Sequence, residues 1–335
     1  MDILITGGAG YIGSHIVQQF LHEQHQVIVL DNLVTGHREA VAKEAIFIEG
    51  DVRDQALLQE IFSTYPIDAV VHTASSTSVG ESTTDPLSYF DNNVGGLLSL
   101  AKAMHAFQVN FLILSSSAAV YGSAKEPLLD EDTPTQPDNP YGASKLMMET
   151  ILEWMQKSQQ IHVVALRYFN VAGASLTQDI GEDHTPETHL IPNILAVPLG
   201  KKDTFTIFGS NYATPDGTTI RDYINVSDVA SIHTLALDYL IQTKNSTTFN
   251  VGSGTGISTK ALVQTIAKEL NYPIPIDYDT NRAGDSHTLI ASIHKANNEL
   301  DWYPKHSDLA TIITSAFNWH VEYPDGYNSA TLNKK

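Results

Sequence analysis

Cysteine is absent from the 335 residues, so the chain has neither disulfide bonds nor thiolate ligands for a metal. Basic residues are few: 19 lysines and arginines stand against 38 acidic residues, giving a formal net charge of −19. Nucleic acid and anionic membranes are bound through basic surface, so we expect neither as a partner. No apolar run approaches membrane-spanning length. The first residues lack the basic and apolar regions of a signal peptide, and we expect a cytoplasmic protein.

Hydrophobic residues make up 42% of the chain, enough for a sizeable core. Short apolar runs typical of strands alternate with segments in which apolar residues recur at helical spacing. This alternation predicts an α/β fold with a Rossmann-type doubly wound parallel sheet. Beyond about residue 171 the predicted loops lengthen. We therefore expect a Rossmann domain over residues 1–170 and a smaller mixed α/β substrate domain over residues 171–335, with segments that can interleave.

A glycine-rich turn follows the first predicted strand. Gly7, Gly10 and Gly13 lie between the apolar run at 3–5 and a segment with helical periodicity. Glycines at this junction let the backbone approach a pyrophosphate, whose charge is met by the N-terminus of the helix. Asp31 ends the next predicted strand, where a carboxylate accepts a hydrogen bond from a ribose 2′-hydroxyl and repels a 2′-phosphate. The sequence therefore predicts a dinucleotide cofactor, NAD rather than NADP.

Tyr141 and Lys145 are four residues apart, which places both on one face of a helix. A tyrosine has a pKa of about 10 and becomes a useful base near neutral pH only if a nearby cation favours its phenolate. Lys145 is placed to be that cation. Ser117 ends a run of three serines after a predicted strand, where its hydroxyl could bond the same substrate oxygen. Two alternatives are open: Tyr141 and Lys145 as an exposed pair, and the serines as caps of turns.

Acidic residues outside these motifs are further candidates for ligand binding. Asp51, followed by Val52 after the third predicted strand, either borders an adenine or caps the next helix. Asp179, Glu182 and Asp183 form an acidic loop without the glycine placement and ligand alternation of a calcium site. We expect these three acids to be solvated, and we expect no metal site.

Short motifs along nearly the whole chain resemble the extended short-chain dehydrogenase/reductase family. The glycine loop and the Tyr-x-x-x-Lys pair are common to the superfamily, whereas the motifs of the second half resemble its nucleotide-sugar 4-epimerases. The motifs are Thr6-Gly7-Gly8-Ala9-Gly10-Tyr11-Ile12-Gly13, Asp31-Asn32-Leu33, Asp91-Asn92-Asn93, Ser115-Ser116-Ser117, Asn139-Pro140-Tyr141, Arg167-Tyr168-Phe169-Asn170, His189-Leu190-Ile191-Pro192, Arg221-Asp222-Tyr223 and Arg282-Ala283-Gly284-Asp285.

The resemblance implies an isomerase that interconverts UDP-glucose and UDP-galactose through a transient 4-keto sugar, with NAD tightly bound. The implied catalytic residues are Ser117, Tyr141 and Lys145. The implied cofactor-binding residues are Gly7, Gly10, Tyr11, Ile12, Gly13, Asp31, Asn32, Asp51, Val52, Asn93, Ser115, Tyr141, Lys145 and Tyr168. The implied substrate-binding residues are Ser117, Tyr141, Asn170, His189, Leu190, Phe208, Arg221, Tyr223, Arg282 and Asp285.

The same resemblance implies a homodimer formed by the helices at about 86–107 and 141–157. The apolar stripes of these helices could instead be covered within one chain. Arginine suits a diphosphate because its donors form a fork, and Arg221 and Arg282 are the candidates for that role. Either arginine alone could instead belong to a surface ion pair.

Three positions depart from the family pattern. Thr77 stands where many relatives carry lysine, and Asn225 stands where one motif usually ends in histidine. Leu289 stands at a position that influences acceptance of N-acetylated sugars, so a UDP-N-acetylglucosamine 4-epimerase is an open alternative. A 4,6-dehydratase needs an acid beside the catalytic hydroxyl, whereas Ser117 is followed by alanine. The non-enzyme alternative is a Rossmann protein that senses dinucleotides.

Overall fold

A computed structural model describes residues 1–124, 126–158, 161–177, 179–281 and 286–328. The strands are β1 (Asp2–Thr6), β2 (Gln26–Asp31), β3 (Ile46–Glu49), β4 (Ala69–His72), β5 (Phe111–Ser117), β6 (Leu128–Leu129), β7 (His162–Tyr168), β8 (Asn170–Ala172), β9 (Phe205–Phe208), β10 (Ile220–Asn225), β11 (Thr247–Val251), β12 (Gly256–Ser258), β13 (Ile276–Asp279) and β14 (Thr288–Ala291). The helices are α1 (Tyr11–His22), α2 (Gln55–Thr64), α3 (Val79–Thr84), α4 (Pro86–Tyr89), α5 (Gly96–Ala106), α6 (Pro140–Lys157), α7 (Leu190–Leu195), α8 (Val226–Thr243), α9 (Thr259–Glu269), α10 (His294–Leu300) and α11 (Leu309–Glu322). None of the described helices combines the length and apolar character needed to span a bilayer.

Seven strands form one parallel sheet in the order β11-β7-β5-β4-β1-β2-β3. The chain runs outward from β1 to β3 and then returns to β4 on the other side of β1. The strand order therefore reverses between β1 and β4, and ligands of open α/β sheets bind at such a point, beyond the carboxyl ends of the strands. The predicted Rossmann-type doubly wound sheet is confirmed.

Alternate residues of the central strand β1 face two separate cores. Ile3 and Ile5 pack in one cluster with Val17 of α1, whereas Leu4 packs in another with Leu58 of α2. Successive side chains of a strand point to opposite faces, so a strand covered by helices on both faces must be apolar at consecutive positions. This two-sided burial explains the unbroken apolar run in the sequence of β1.

The predicted helix over 86–107 is divided in the structure. α4 ends at Tyr89, a π-helical segment spans Phe90–Gly95, and α5 begins at Gly96. Two consecutive glycines at the start of α5 weaken the helix there, since glycine has poor helix propensity. Asn93, a predicted cofactor residue, lies in the π-helical segment, and such segments often occur at functional sites.

The last strand of the large sheet is not predicted from sequence periodicity. β11 pairs with β7, and α8 packs against α1, although both elements come after residue 171. The chain therefore leaves the large sheet after β7 and returns to it with α8 and β11. Segments of the two predicted domains interleave, and the boundary near residue 170 stays a prediction.

The remaining strands form two smaller sheets. β10 is paired with β8, β12 and β14, and β6 lies beyond β14. A separate parallel pair joins β9 and β13. These strands position three of the predicted substrate residues, because Asn170 begins β8, Phe208 ends β9 and Arg221 lies in β10.

Candidate active site

The three residues predicted to be catalytic meet at the carboxyl end of β5. Ser117 is the last residue of β5, and Tyr141 and Lys145 lie in the first turns of α6. α6 begins with Pro140, a residue suited to the first helical position, and Asn139 caps it by accepting a backbone hydrogen bond of 2.9 Å. Ser117 lies beside Tyr141 and acts to lower its pKa, and the Nζ of Lys145 lies 5.9 Å from the centre of the tyrosine ring. The alternative of an exposed Tyr141–Lys145 pair is wrong, because Lys145 is only 1% exposed.

Two oxygens hold the ammonium of Lys145. Its Nζ donates to the Ser75 hydroxyl at 2.7 Å and to the Ser115 carbonyl at 2.8 Å. Burial lowers the pKa of Lys145 to about 7, and the negative charge of Glu149 opposes this shift. No motif indicated Ser75. Its loop follows β4, the neighbour of β5 in the sheet, and that adjacency is the signal that could have found it.

Tyr141 itself is a weaker acid in this structure than a free tyrosine. Burial raises the pKa of Tyr141, and the hydrogen bond with Ser117 opposes the rise. The lysine ammonium donates to Ser75 and Ser115, and the role of Lys145 in lowering the pKa of Tyr141 stays a prediction.

A buried ion pair lies close to Lys145. Arg167 donates from Nη2 to Oε2 of Glu149 at 2.7 Å and from Nε to Oε1 at 3.0 Å, the two-pronged arrangement that arginine favours. The Ser116 hydroxyl donates to the same carboxylate at 2.5 Å. The Arg167 and Glu149 side chains are 8% and 11% exposed. Glu149 is one helical turn beyond Lys145 on α6, so the sequence spacing could have indicated that this carboxylate lies near the lysine.

The three serines of β5 have three different roles in this network. The Ser115 carbonyl accepts from Lys145, and the Ser116 hydroxyl donates to Glu149. The Ser117 hydroxyl accepts from the Ala119 amide at 3.1 Å and so caps the 3₁₀ turn that follows. Capping, one of the two alternatives for these serines, therefore occurs at Ser117, and its bond to a substrate oxygen stays a prediction.

The glycine loop between β1 and α1 is shaped for a phosphate. Gly7 has a φ of +78°, and a Cβ there would lie 2.5 Å from a backbone nitrogen of the loop after β4. A Cβ on Gly13 would lie 2.0 Å from the Gly7 carbonyl oxygen. Gly10 precedes α1 without a capping side chain, so the N–H groups of the first turn, which contains Tyr11 and Ile12, are available to an anion. These residues fit the pyrophosphate of NAD.

Asp31 ends β2 beside the glycine loop. Its Oδ2 accepts from the Ala9 amide at 3.0 Å, and its Oδ1 accepts from the Leu33 amide at 2.8 Å. Burial raises the pKa of Asp31, and these two backbone bonds oppose the rise. A carboxylate has about four acceptor sites, so both oxygens can accept a further bond from a ribose hydroxyl. The position fits the predicted contact with NAD.

The adenine-side candidates form a surface network. Arg53 donates to Asp51 from Nε at 2.9 Å and from Nη2 at 2.7 Å, and Asn32 donates to the same carboxylate at 3.1 Å. The hydrogen bonds from Arg53 hold the pKa of Asp51 well below its ordinary value. Asp54, rather than Asp51, caps α2, so the capping alternative for Asp51 is wrong. Val52, which lies between Asp51 and Arg53 in the sequence, is buried.

Two other predicted cofactor residues connect separate elements. Asn93 is fully buried, and its Nδ2 donates to the Ser76 carbonyl at 3.0 Å and to the Ser144 hydroxyl at 2.9 Å. It thereby joins the loop after β4 to α6. The Tyr168 hydroxyl and Nε2 of His233 form a 2.7 Å hydrogen bond, which joins β7 to α8.

Four of the predicted substrate residues reach solvent from four different elements. Asn170 and Phe208 are exposed, Arg221 is half-buried, and Leu190 begins α7 as a half-buried residue. Leu289 is the register partner of Arg221 in the neighbouring strand β14. The position linked to N-acetyl acceptance therefore lies beside a candidate phosphate ligand.

Two further predicted substrate residues, Tyr223 and His189, have other surroundings. Tyr223 is 5% exposed and packs in a hydrophobic core. The His189 side chain contacts Glu182, whose side chain is only 4% exposed, so the prediction that Glu182 is solvated is wrong. Arg282 and Asp285 lie outside the described residues, and their roles stay predictions.

The structure shows the surroundings of two residues that depart from the family pattern. Asn225 caps α8, where its side chain accepts from the Ser227 amide at 2.8 Å. The asparagine thus stabilises the start of the helix that covers the large sheet. Thr77 lies exposed in the loop before α3, close in sequence to Ser75 and Ser76 of the site.

A doubly wound parallel sheet, a glycine loop with an acidic strand end and a Ser–Tyr–Lys constellation define a dinucleotide-dependent protein of the short-chain dehydrogenase/reductase class. Residues 3–252 match the NAD dependent epimerase/dehydratase family, and this chain belongs to it. The predicted family is therefore confirmed, and NAD dependence is a property of that family, in agreement with the cofactor prediction.

Named relatives cover almost the entire chain. The UDP-glucose 4-epimerase of Streptococcus mutans serotype c is 48% identical over 330 residues, which are 98% of this chain and 99% of that protein. The UDP-glucose 4-epimerase of Brucella ovis, in complex with NAD, is 41% identical with a TM-score of 0.91 over 95% of this chain and 97% of that one. The enzyme of Bifidobacterium longum, in complex with NAD+ and UDP, is 35% identical with a TM-score of 0.91 over 97% and 100%.

Proposed function

We propose that this protein interconverts UDP-glucose and UDP-galactose by inverting carbon 4 of the sugar. The observation behind the proposal is the grouping of Ser117, Tyr141 and the buried Lys145 at the carboxyl end of the sheet. Relatives similar over almost their whole length are named for this activity. The geometry supplies a proton acceptor and a second hydroxyl for one sugar oxygen.

NAD, when bound, supplies the acceptor that takes a hydride from carbon 4 and later returns it. Tyr141 removes the proton of the 4-hydroxyl, and Ser117 holds the same oxygen by a hydrogen bond. Such general-base assistance contributes about 10²–10⁴-fold. The transient 4-keto sugar then turns over in the pocket. Tyr141 returns the proton to the same oxygen, and carbon 4 now has the opposite configuration. Lys145 orients the cofactor ribose and supplies positive charge beside the phenol.

The UDP portion would be held by the accessible residues of β8, β9, β10 and α7. Arg221 offers a guanidinium, whose donors match a phosphate, in a protein of net negative charge. Asn170, Leu190 and Phe208 surround the nucleotide in the same proposal. Tethering through UDP lets the sugar rotate without leaving the site.

Product identification tests the proposal. Purified protein is incubated with UDP-galactose without added NAD, and the sugar product is identified by chromatography and NMR. We expect UDP-glucose, because NAD is regenerated in each cycle and stays bound. A 4-keto-6-deoxy sugar would instead indicate a dehydratase, and no conversion by NAD-loaded protein would indicate a dinucleotide sensor.

UDP-N-acetylglucosamine is the second substrate to test. Leu289 lies beside Arg221 and packs against a cluster that contains Ala118, the residue after Ser117. The size of the Leu289 side chain therefore affects the space at the sugar end of the proposed site. The same assay with UDP-N-acetylglucosamine, compared as kcat/KM with UDP-galactose, measures the substrate range.

A homodimer and a cytoplasmic location complete the proposal. Four large apolar side chains are exposed on the helices expected to pair: Leu87 and Leu98 at 78% and 41%, and Met147 and Trp154 at 47% and 66%. Burying such residues against a second copy would stabilise a dimer. Sedimentation velocity should show a dimer that Leu98→Asp with Met147→Asp converts to a monomer, and cell fractionation tests the location.

A further inference from the structure

A cluster of imidazoles and carboxylates lies outside the proposed active site. Glu182, His184, Glu187 and His189 each offer one ligand atom, and these atoms all lie within 4.8 Å of one another. All four residues come from the segment between β8 and α7. We propose that this 182–189 cluster binds one Zn²⁺ ion per chain.

The side chains already converge as ligands of a metal do. Nδ1 of His184 lies 3.2 Å from Oε1 of Glu182 and 3.8 Å from Oε2 of Glu187. Nδ1 of His189 contacts the same Glu182 oxygen. Zinc binds nitrogen and carboxylate oxygen at about 2.0–2.2 Å in tetrahedral geometry, which sets ligand atoms roughly 3.4 Å apart. Rearrangements of about 1 Å or less would bring this set to that geometry.

The charges of the cluster match a divalent cation. When both imidazoles bind a metal they do so as neutral ligands, so the two carboxylates give the ligand set a charge of −2, and the Glu182 side chain is only 4% exposed. A buried carboxylate requires a partner of opposite charge. Among the residues that the structure describes, the ion pairs of Glu182 are made by histidines, and none is made by lysine or arginine. Bound Zn²⁺ would neutralise both carboxylates.

The ligand set favours zinc over the alkaline-earth cations. Calcium and magnesium prefer oxygen ligands throughout, whereas two imidazole nitrogens suit zinc and its transition-metal neighbours. The His189 side chain is 45% exposed, which provides a route for a metal to enter. Asp183, between two ligands in sequence, lies outside the cluster, and its carboxylate accepts from the Tyr327 amide at 2.9 Å.

The location indicates a structural role rather than a catalytic one. The ring of Tyr11, at the start of α1, packs edge-on against His184 with centroids 6.2 Å apart. The Glu182 carbonyl accepts from Nε1 of Trp319 in α11 at 2.8 Å, and His189 immediately precedes α7. A metal here would tie together the glycine-loop helix, α11 and the helix that presents Leu190.

Metal analysis of the purified NAD-containing protein tests the proposal. We expect about one zinc per chain by elemental analysis after loading with Zn²⁺ and dialysis against metal-free buffer. His184→Ala with His189→Ala should lower the affinity in equilibrium dialysis by at least about 100-fold, the upper range for changes around metal ligands. His22→Ala, an exposed histidine on α1, is the matched control and should bind zinc as the wild type does.

Further measurements keep the test decisive if the double variant folds poorly. Glu187→Gln is a milder change, since that side chain is 23% exposed, and it should also weaken zinc binding. Co²⁺ added to the wild type should give the intense visible bands of tetrahedral coordination, and Zn²⁺ should raise the thermal midpoint of the wild type but not of the ligand variants. Folded wild type that binds no zinc at micromolar concentrations, or ligand variants that bind it with unchanged affinity, would overturn the proposal.

Discussion

The ammonium nitrogen of Lys145 lies 2.7 Å from the hydroxyl oxygen of Ser75 at the carboxyl end of the large sheet, where the lysine is buried and the serine half-buried. Burial that lowers the pKa of Lys145 to about 7, from 10.5, makes stability depend on pH. Between these values the unfolded chain holds a proton that the folded chain has released, so the free energy of unfolding rises with pH.

Replacing this lysine should remove that pH dependence. Relative to Lys145→Met, nucleotide-stripped wild type should gain up to about 1.4 kcal/mol of unfolding free energy per pH unit above pH 7, and no further difference should develop below pH 7. Urea unfolding of both proteins at a series of pH values measures this difference in unfolding free energy. Lys102→Met, at an exposed position, should follow the wild-type curve. Parallel curves for wild type and Lys145→Met would contradict the buried-lysine effect.

Removing the hydroxyl of Tyr141 should abolish most turnover while leaving binding intact. Tyr141→Phe deletes the proposed base but keeps the ring, so kcat should fall by about 10²–10⁴-fold. Retained NAD, measured spectroscopically, and an unchanged Kd for UDP would separate this from misfolding. Tyr303→Phe, a tyrosine that is 54% exposed, is the control and should keep full activity. Epimerisation near the wild-type rate in Tyr141→Phe would refute the assignment.

The ion pair of Arg167 and Glu149 should contribute strongly to stability. Arg167→Met leaves a carboxylate that is 11% exposed without its cation, and breaking such a pair costs about 3–5 kcal/mol. Lys157→Met breaks a surface pair with Glu153 on the same helix and should cost at most about 0.5 kcal/mol. Denaturant unfolding of both variants gives the comparison, and equal losses would show that burial does not set the cost.

Asp31 should determine the preference for NAD over NADP. Asp31→Ala removes the acceptor for the ribose hydroxyl and the repulsion of a 2′-phosphate. The Kd for NADP divided by the Kd for NAD should therefore fall at least about tenfold. The ratio is insensitive to general loosening of the loop, which affects both cofactors. Asp54→Ala, a helix-cap change with a cost of about 1 kcal/mol, should leave the ratio unaltered.

The sequence predicts the elements of the first half well because their patterns are local. The glycine loop, the fully apolar β1 and the proline-initiated α6 each combine a turn signal with a clear period. Ser75 and Arg167 escaped prediction because their importance depends on neighbouring strands and on a partner 18 residues away. Sequence spacing reveals partners on one helix, whereas partners across a sheet require the strand order.

The second half shows the same limit. β11 reads Thr247-Thr248-Phe249-Asn250-Val251, a short run with polar residues, and nothing local indicates that it belongs to the first sheet. An acidic loop in a sequence is usually solvated, yet the fold buries Glu182 among histidines of the same segment. Only tertiary packing decides that β11 joins the large sheet and that Glu182 is buried.

The return of the chain to the large sheet affects how the protein can be divided. A piece ending at residue 170 would leave the edge of β7 open where β11 pairs and would uncover the face of α1 against which α8 packs. An unpaired edge strand beside exposed apolar surface promotes aggregation. Expression of that piece alone should therefore yield insoluble material, and a protein intended to bind only the dinucleotide would have to retain residues up to the end of β11.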